Sequence, residues 1–509
     1  LLNLACMSYQ IVRELRIKGD RENALKTGYE TLLKEPANQK LKYLLAWVLY
    51  DDLKEKCYAE RADEFIQTIK QLIDLKLPEN EPLLNEKITW QIIKYLSFHV
   101  KEETLNNKQL DSIAPLFNLF PPLKNSTVSS ALLSTFLRYK TLWFGFLPCM
   151  NLLTWEGFHE EDYEEPDMGL GKKLMSRAEQ AYIRVGKILE EKANYQVNDH
   201  LKNEILTFIT ALEKIIQKKP HFLYPPYYLA KLWLILDEKE KALYALLPFA
   251  RIRRKEFWVW DLMARVFPAG DERAFWCYCK ALSCQTKNEF LYKVRLHFLP
   301  LLVEKKLYQE ARNEIKSIQF ISKIKDWPYP SYCKQLENEE WYQNTESGRT
   351  NNDLYGRYFL NATEILSTFL PISEGIVIYI DAKKVELTYM PNKEERVSLI
   401  SDFPLENITL GSIIAVSAEK QRTGKPHRIF SIKRLEEKEM DHPLRRVFSG
   451  KLRLSQNISL GFVDDVMVEY FIHKRVNSAI MVKGIAVPAF DNKKNKWGWK
   501  ALNLENISK

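Results

Sequence analysis

The chain has 509 residues, 46% hydrophobic and 28% charged, with a formal net charge of +9. That composition excludes a disordered segment and supplies enough apolar surface for several cores. The mild positive balance permits a nucleic-acid partner without demanding one.

No membrane span is expected. The most apolar run, Leu142 to Trp155, is interrupted by Pro148 and falls short of the ~18–20 residues a spanning helix needs. It reads instead as a buried helix pair. No targeting segment stands out. The chain opens Leu1-Leu2-Asn3, so its start is expected to lie upstream. The 7 cysteines are scattered, and Cys277, Cys279 and Cys284 form their only cluster. That cluster lies in a helical pattern with no nearby histidine completing a tetrahedral set. Buried thiols in a reduced cytoplasm are therefore expected.

In chain order, the first signal is Lys18-Gly19-Asp20-Arg21-Glu22-Asn23-Ala24, running on to Pro36-Ala37-Asn38. Gly19-Asp20 suits the turn of a helical hairpin, because glycine tolerates φ > 0 and aspartate favours turns and caps. Ala24 is small enough for a helix crossing at ~8–10 Å. Pro36 stops the second helix. Ala230 with Ala242, Gly270-Asp271 with Ala274 and Ala281, and Leu307 to Ala311 repeat the pattern. Gly-Asp-x-x-x-Ala followed by proline resembles the tetratricopeptide repeat, whose period is ~34 residues.

That resemblance covers most of residues 1–345. It implies repeats over 1–120 and a second block of repeats over 172–345; between them 121–171 reads as a helical insert with an acidic loop, and 346–365 as a polar, helix-compatible linker. Within the insert, His159-Glu160-Glu161-Asp162-Tyr163-Glu164-Glu165-Pro166-Asp167 reads as a solvated acidic loop. The alternative is a divalent-metal cluster of nuclease type. Gly169-Leu170-Gly171-Lys172-Lys173 lacks the spacing that wraps phosphates. Arg251, Arg253 and Arg254, beside Trp258, form a basic-aromatic patch suited to a protein partner or an anionic chain; an exposed turn beside buried tryptophans is the simpler reading.

From Glu374 the pattern changes to period 2. Runs at Ile376–Ile380, Val385–Tyr389, Arg396–Ile400, Ile413–Val416 and Ile429–Ile432 are β-branched and aromatic. Five short strands fit a small OB-like barrel over residues 366–436. A second set over 437–509 includes Val447–Leu454, Leu460–Val463, Val466–Val468, Gly484–Val487 and Lys496–Ala501. Gly450-Lys451-Leu452-Arg453, Gly461-Phe462-Val463 and Val466-Met467-Val468 resemble the first three strands of a cold-shock-type OB barrel. That family stacks single-stranded nucleic acid on exposed aromatics over a basic face.

Of the family's stacking positions Phe462 is the one that matches; Lys451, Arg453, Lys474, Arg475, Lys493, Lys494 and Lys496, with Arg422, Lys425 and Arg428 in the first barrel, are the basic groups expected to contact nucleic acid, and Trp497 and Trp499, which share a face, either stack bases or close the barrel against its neighbour. The chain departs from the family at Leu454, Leu460 and Met467, where stacking aromatics are usual, and at Glu469, where a histidine is usual. A barrel docked on protein is the alternative.

The expected fold is thus α+β and multidomain: an α-solenoid of tetratricopeptide-like hairpins, then two small OB-like β-barrels. This domain order resembles accessory proteins of prokaryotic conflict systems of the TOTE type in anti-phage defence. It implies an intracellular recognition or scaffolding role. No spacing pairs a nucleophile with a base and no zinc set is complete, so the expectation is a non-enzymatic adaptor without a cofactor. Its solenoid would hold a protein partner, and its barrels RNA or single-stranded DNA. A pure protein scaffold and a metal-dependent nuclease built on His159 to Asp167 are the other two readings.

Overall fold

The computed structural model describes residues 2–57, 61–77, 81–119, 124–153, 155, 157–169, 173–346, 348, 350–381, 383, 385–421, 424–435, 442–455, 460–473, 481–492 and 495–507. They fall in two compact units, Leu1–Phe249 and Ala250–Lys509. The domain boundaries expected at 120/121, 171/172 and 436/437 lie outside the described residues.

The first unit is helical. Successive hairpins pair Leu2–Lys18 with Arg21–Lys34, Gln39–Lys56 with Ala62–Asp74, and Arg177–Tyr195 with Asp199–Lys218. The turns show why these helices stop. Gly19 sits at φ 80°, and the Asp20 and Gly19 N–H groups donate back to Leu15 and Arg16 at 3.0 Å each. This satisfies the last carbonyls of the first helix. The Asp20 carboxylate then caps the second helix by accepting from Asn23 N at 3.3 Å. Asp237 (φ 60°) and Lys306 (φ 55°) repeat the left-handed turn without glycine, with Glu238 N donating to Trp233 O and Leu307 N to Leu302 O, both at 2.9 Å.

Ala24, Ala230, Ala242, Ala281 and Ala311 are all fully buried, as small crossing residues should be. At Gly186 a Cβ would come within 2.4 Å of the Tyr228 ring, so helices Arg177–Tyr195 and Pro225–Ile235 approach too closely for any side chain there. The aromatic run before Trp155 forms the buried helix Phe146–Leu153. Among the described residues, no helix is long and apolar enough to cross a membrane.

The second unit opens with the pairs Phe257–Val266 and Glu272–Ser283, then Tyr292–Glu304 and Tyr308–Lys325. The helix-compatible linker segment contains helices Asn352–Arg357 and Phe359–Ile365, both packed on Glu272–Ser283. Leu354, Tyr355, Ala362 and Ile365 supply the buried side.

Two sheets follow. In the first, β1 (Ser373–Asp381), β2 (Glu386–Met390), β3 (Val397–Ile400), β4 (Ile413–Glu419) and β5 (His427–Arg434) close a barrel in the order β1-β2-β3-β5-β4. The β3–β5 pair is parallel and the rest antiparallel. Val377, Leu387, Tyr389, Leu399, Ile414, Val416 and Ile429 fill it.

The second sheet comprises β6 (Arg446–Lys451), β7 (Arg453–Leu454), β8 (Leu460–Val463), β9 (Val466–Glu469), β10 (Met481–Asp491), β11 (Lys496–Ala501) and β12 (Glu505–Asn506). It repeats that wiring. β9 and β11 run parallel, and buried Leu452 divides the first strand so that β6 pairs with β10 while β7 pairs with β8. Phe448, Val463, Val466, Val468, Val482 and Ala501 form its core. A third cluster, Ile376, Met390, Leu444 and Val487, joins the two barrels.

Ala311 tests the crossing in the pair Tyr292–Glu304 and Tyr308–Lys325. Ala311→Leu overpacks a site with no exposure and should lower stability by about 1–3 kcal/mol. A fall in the thermal midpoint of the full chain relative to Ala311→Ser checks it.

Candidate nucleic-acid interface

Residues directly opposite one another in a ladder share a face. Arg453 lies opposite Phe462, Phe462 opposite Met467, and Met467 opposite Lys500. These four form one row across β7, β8, β9 and β11. Their strand neighbours Leu452, Gly461, Val463, Val466 and Val468 are buried, so the row points outward. At ~4.8 Å per strand it is about 14 Å long. Phe462 is 38% exposed. Lys451 is exposed on the same strand, two positions before Arg453. Lys496 alternates with Gly498 and Lys500 on β11 and so faces the same way. At the end of the row, Lys500 is paired with Glu469 at 2.7 Å.

Trp497 and Trp499 occupy the other face of β11. Trp499 lies opposite Pro488 and Val466, both buried; it packs on the barrel core with the Arg446 guanidinium 5.8 Å from its ring. Trp497 lies opposite Phe490, the rings 5.3 Å apart and nearly perpendicular. Phe462 is thus the ring on the outward row, and Trp499 closes the barrel. In the first barrel, Lys425 is exposed, whereas Arg428 is held by Asp402 at 2.6 Å. Arg422, Lys474, Arg475, Lys493 and Lys494 lie outside the described residues.

The basic-aromatic patch after residue 250 is committed inside the second unit rather than presented on an open surface. Arg251 is buried; its Nε donates to Leu366 O and its Nη2 to Thr368 O, each at 2.8 Å. These carbonyls follow helix Phe359–Ile365, so the guanidinium caps the negative end of that helix. Burial pulls the Arg251 pKa down, and Glu419, 3.4 Å away, opposes this. Arg254 bonds Asp402 through Nε and the Arg251 carbonyl through Nη1 at 3.0 Å. The Trp260 indole donates to Arg254 O at 2.7 Å. Arg253 and Trp258 are half-buried beside this clamp.

In the acidic loop, Asp162 is buried and accepts from Ser130 Oγ at 2.7 Å, Arg177 Nε at 2.7 Å and His159 N at 3.1 Å. It staples the loop to two helices, Thr127–Arg138 and Arg177–Tyr195. Among the described residues, no group of three His, Cys, Asp or Glu side chains is placed to hold a metal ion. Cys277 and Cys279 are buried on helix Glu272–Ser283, and burial pushes both thiols up; Cys284 rises to about 11 for the same reason.

The second barrel is similar to S1/CSD-like domain 2 of the TOTE conflict systems, whose family model matches residues 446–504. Residues 223–362 match a domain of unknown function, DUF7017. Among the solved structures that align with the chain are two matches of low identity. The human IFIT1 dimer with PPP-AAAA is 12% identical over 63% of this chain and 69% of its own, with a TM-score of 0.26. Yeast Tom70 is 8% identical over 72% of this chain and 88% of its own, with a TM-score of 0.21. No curated protein matches the chain.

Two substitutions test these structural assignments. Asp162→Ala leaves Ser130 and Arg177 without their acceptor; with Arg177 one-third exposed, the loss should be about 2–3 kcal/mol, read as a lower denaturant midpoint. Burial would raise the Asp402 pKa, but the Arg254 hydrogen bond and the Arg254 and Arg428 charges hold it below the usual carboxylate value. A depressed carboxylate stabilises above its unfolded pKa and stops doing so as pH falls through the folded one. Asp402→Asn should therefore lower the thermal midpoint near neutral pH, and the gap from the parent protein should close in acid.

Proposed function

We propose that the chain is a non-enzymatic adaptor whose second barrel holds single-stranded nucleic acid while its helical hairpins hold a protein partner. The observation that carries the nucleic-acid half is the outward row Arg453, Phe462, Met467 and Lys500. Its centre, Phe462 and Met467, lies on the second and third strands of an OB-type sheet, the face such barrels use for oligonucleotides. Phe462 supplies one stacking ring, worth about 1–3 kcal/mol per base. Arg453 and Lys451 neutralise phosphates, and Met467 offers a soft, polarizable surface beside the ring. Lys496 extends the basic flank, and Trp497 offers a second ring at the hairpin end. With one exposed ring in the row, binding is modest and tolerant of sequence. The similarity of residues 446–504 to a TOTE conflict-system domain supports a role in intracellular anti-phage defence.

A second reading is a protein-only scaffold. The absence of aromatics at Leu460 and Met467 favours it, because apolar side chains beside Phe462 also suit a protein surface; Leu454 packs on the barrel core.

Fluorescence anisotropy of the full chain with labelled oligouridine and oligothymidine decides between them. Phe462→Ala should weaken binding about tenfold. Arg453→Glu should weaken it further and flatten the dependence of log K on log salt by about 0.7 for each phosphate left unneutralised. Absence of oligonucleotide binding at low salt, or binding unchanged in both variants, would leave the protein-only reading.

A further inference from the structure

Within the second unit, a pocket of about 470 Å³ opens between helix Tyr308–Lys325 and the segment leading into helix Asn352–Arg357. It lies inside the segment matched by the 223–362 family model. Its floor is an ion pair. The Arg295 side chain is nine-tenths buried and reaches Glu314 at 2.5 Å. The Glu314 carboxylate also accepts from Asn351 Nδ2 at 2.6 Å and from the Tyr355 hydroxyl. Arg295 is not saturated. Among the described residues its Nε makes no hydrogen bond, its Nη2 reaches Asn288 Oδ1 at 3.5 Å, and the Tyr355 hydroxyl lies beside it. A buried guanidinium with donors to spare favours an anion's oxygens.

The wall completes the site. Asn313, Lys316, Ser317 and Phe320 all line the pocket at helical spacing i, i+3, i+4 and i+7, a single face. Phe320 is 62% exposed and stands about 9 Å along the helix axis from Glu314, at 1.5 Å per residue. The pocket therefore has an anion-seeking floor at one end, amide and hydroxyl groups along its side, and an open aromatic ring at the other.

We propose that this pocket binds a nucleoside monophosphate, with the phosphate on Arg295, the sugar hydroxyls against Ser317 and Asn352, and the base stacked on Phe320. A free anion would leave the Phe320 ring unused, and an apolar ligand would leave the Arg295 Nε unanswered. The site is separate from the oligonucleotide row on the second barrel and does not depend on it.

The test is calorimetric titration of the full chain with AMP, GMP, CMP and UMP, and with inorganic phosphate and adenosine as components. At least one mononucleotide should bind, more tightly than either component, and should raise the thermal midpoint by about 2–4 °C when near-saturating. Phe320→Ala, at an exposed position, should keep the unliganded midpoint and weaken binding about tenfold. Ser317→Glu, which places a carboxylate in the wall, should abolish it, whereas Phe462→Ala should leave it intact. Failure of all four mononucleotides, equal binding of inorganic phosphate, or undiminished binding by Phe320→Ala would overturn the proposal.

Discussion

Each sheet depends on one constraint: its first strand must pair on both edges. β1 meets β4 through Ser373 to Ile376 and β2 through Ile376 to Asp381. In the second sheet the same duty is divided at Leu452, with β6 on β10 and β7 on β8. Closure removes the open edge that would otherwise invite pairing with another chain. It also fixes parity. Once Leu452, Val463, Val466 and Ala501 are inside, Arg453, Phe462, Met467 and Lys500 have to be outside. The row that makes the second barrel a candidate interface is therefore a consequence of packing its core.

The first barrel is tied to the helices by carbonyl chemistry. Arg251 answers Leu366 O and Thr368 O, the open end of a short helix, and Arg254 with Arg428 brackets Asp402. An uncapped helix end buried against a barrel would leave acceptors without donors at about 1–3 kcal/mol each. Guanidinium groups suit this role because they present several fixed donors and are less strongly hydrated than an ammonium. The apolar cluster of Ile376, Met390, Leu444 and Val487 then carries that attachment on to the second barrel.

How much of this the sequence discloses depends on whether the signal is local. Gly19-Asp20 and Gly270-Asp271 announce their turns, since a left-handed residue followed by a cap is a local demand. Asp237 and Lys306 adopt the same left-handed conformation silently, because the hydrogen bonds of the turn outweigh the penalty for a side chain there. Strand positions are legible from period-2 alternation, and alternation puts Trp497 and Trp499 on one face. Which face is inner depends on Trp499 lying opposite Val466, a pairing across 33 positions that no local pattern encodes. Arg251 is misleading for the same reason: its partners lie 115 and 117 residues away. The segment over 352–365 is legible as helix-compatible, but the surface that buries it, helix Glu272–Ser283, is distant in sequence and is not.

The two barrels share wiring but not surface chemistry, and the difference indicates a division of labour. On the first barrel, the row corresponding to Arg453, Phe462 and Met467 is Tyr379, Thr388 and Ser398. Tyr379 offers an exposed ring, and the Thr388 and Ser398 hydroxyls lie 3.3 Å apart, but the row carries no charge. The nearby Arg428 is already answered by Asp402. Nucleic-acid affinity is largely counterion release, so a neutral row with a pre-paired arginine gains little from a phosphate backbone. The second barrel places Arg453 in the row itself, opposite its aromatic ring. The first barrel is thus suited to holding the second against the helices, and the second to facing a polyanion.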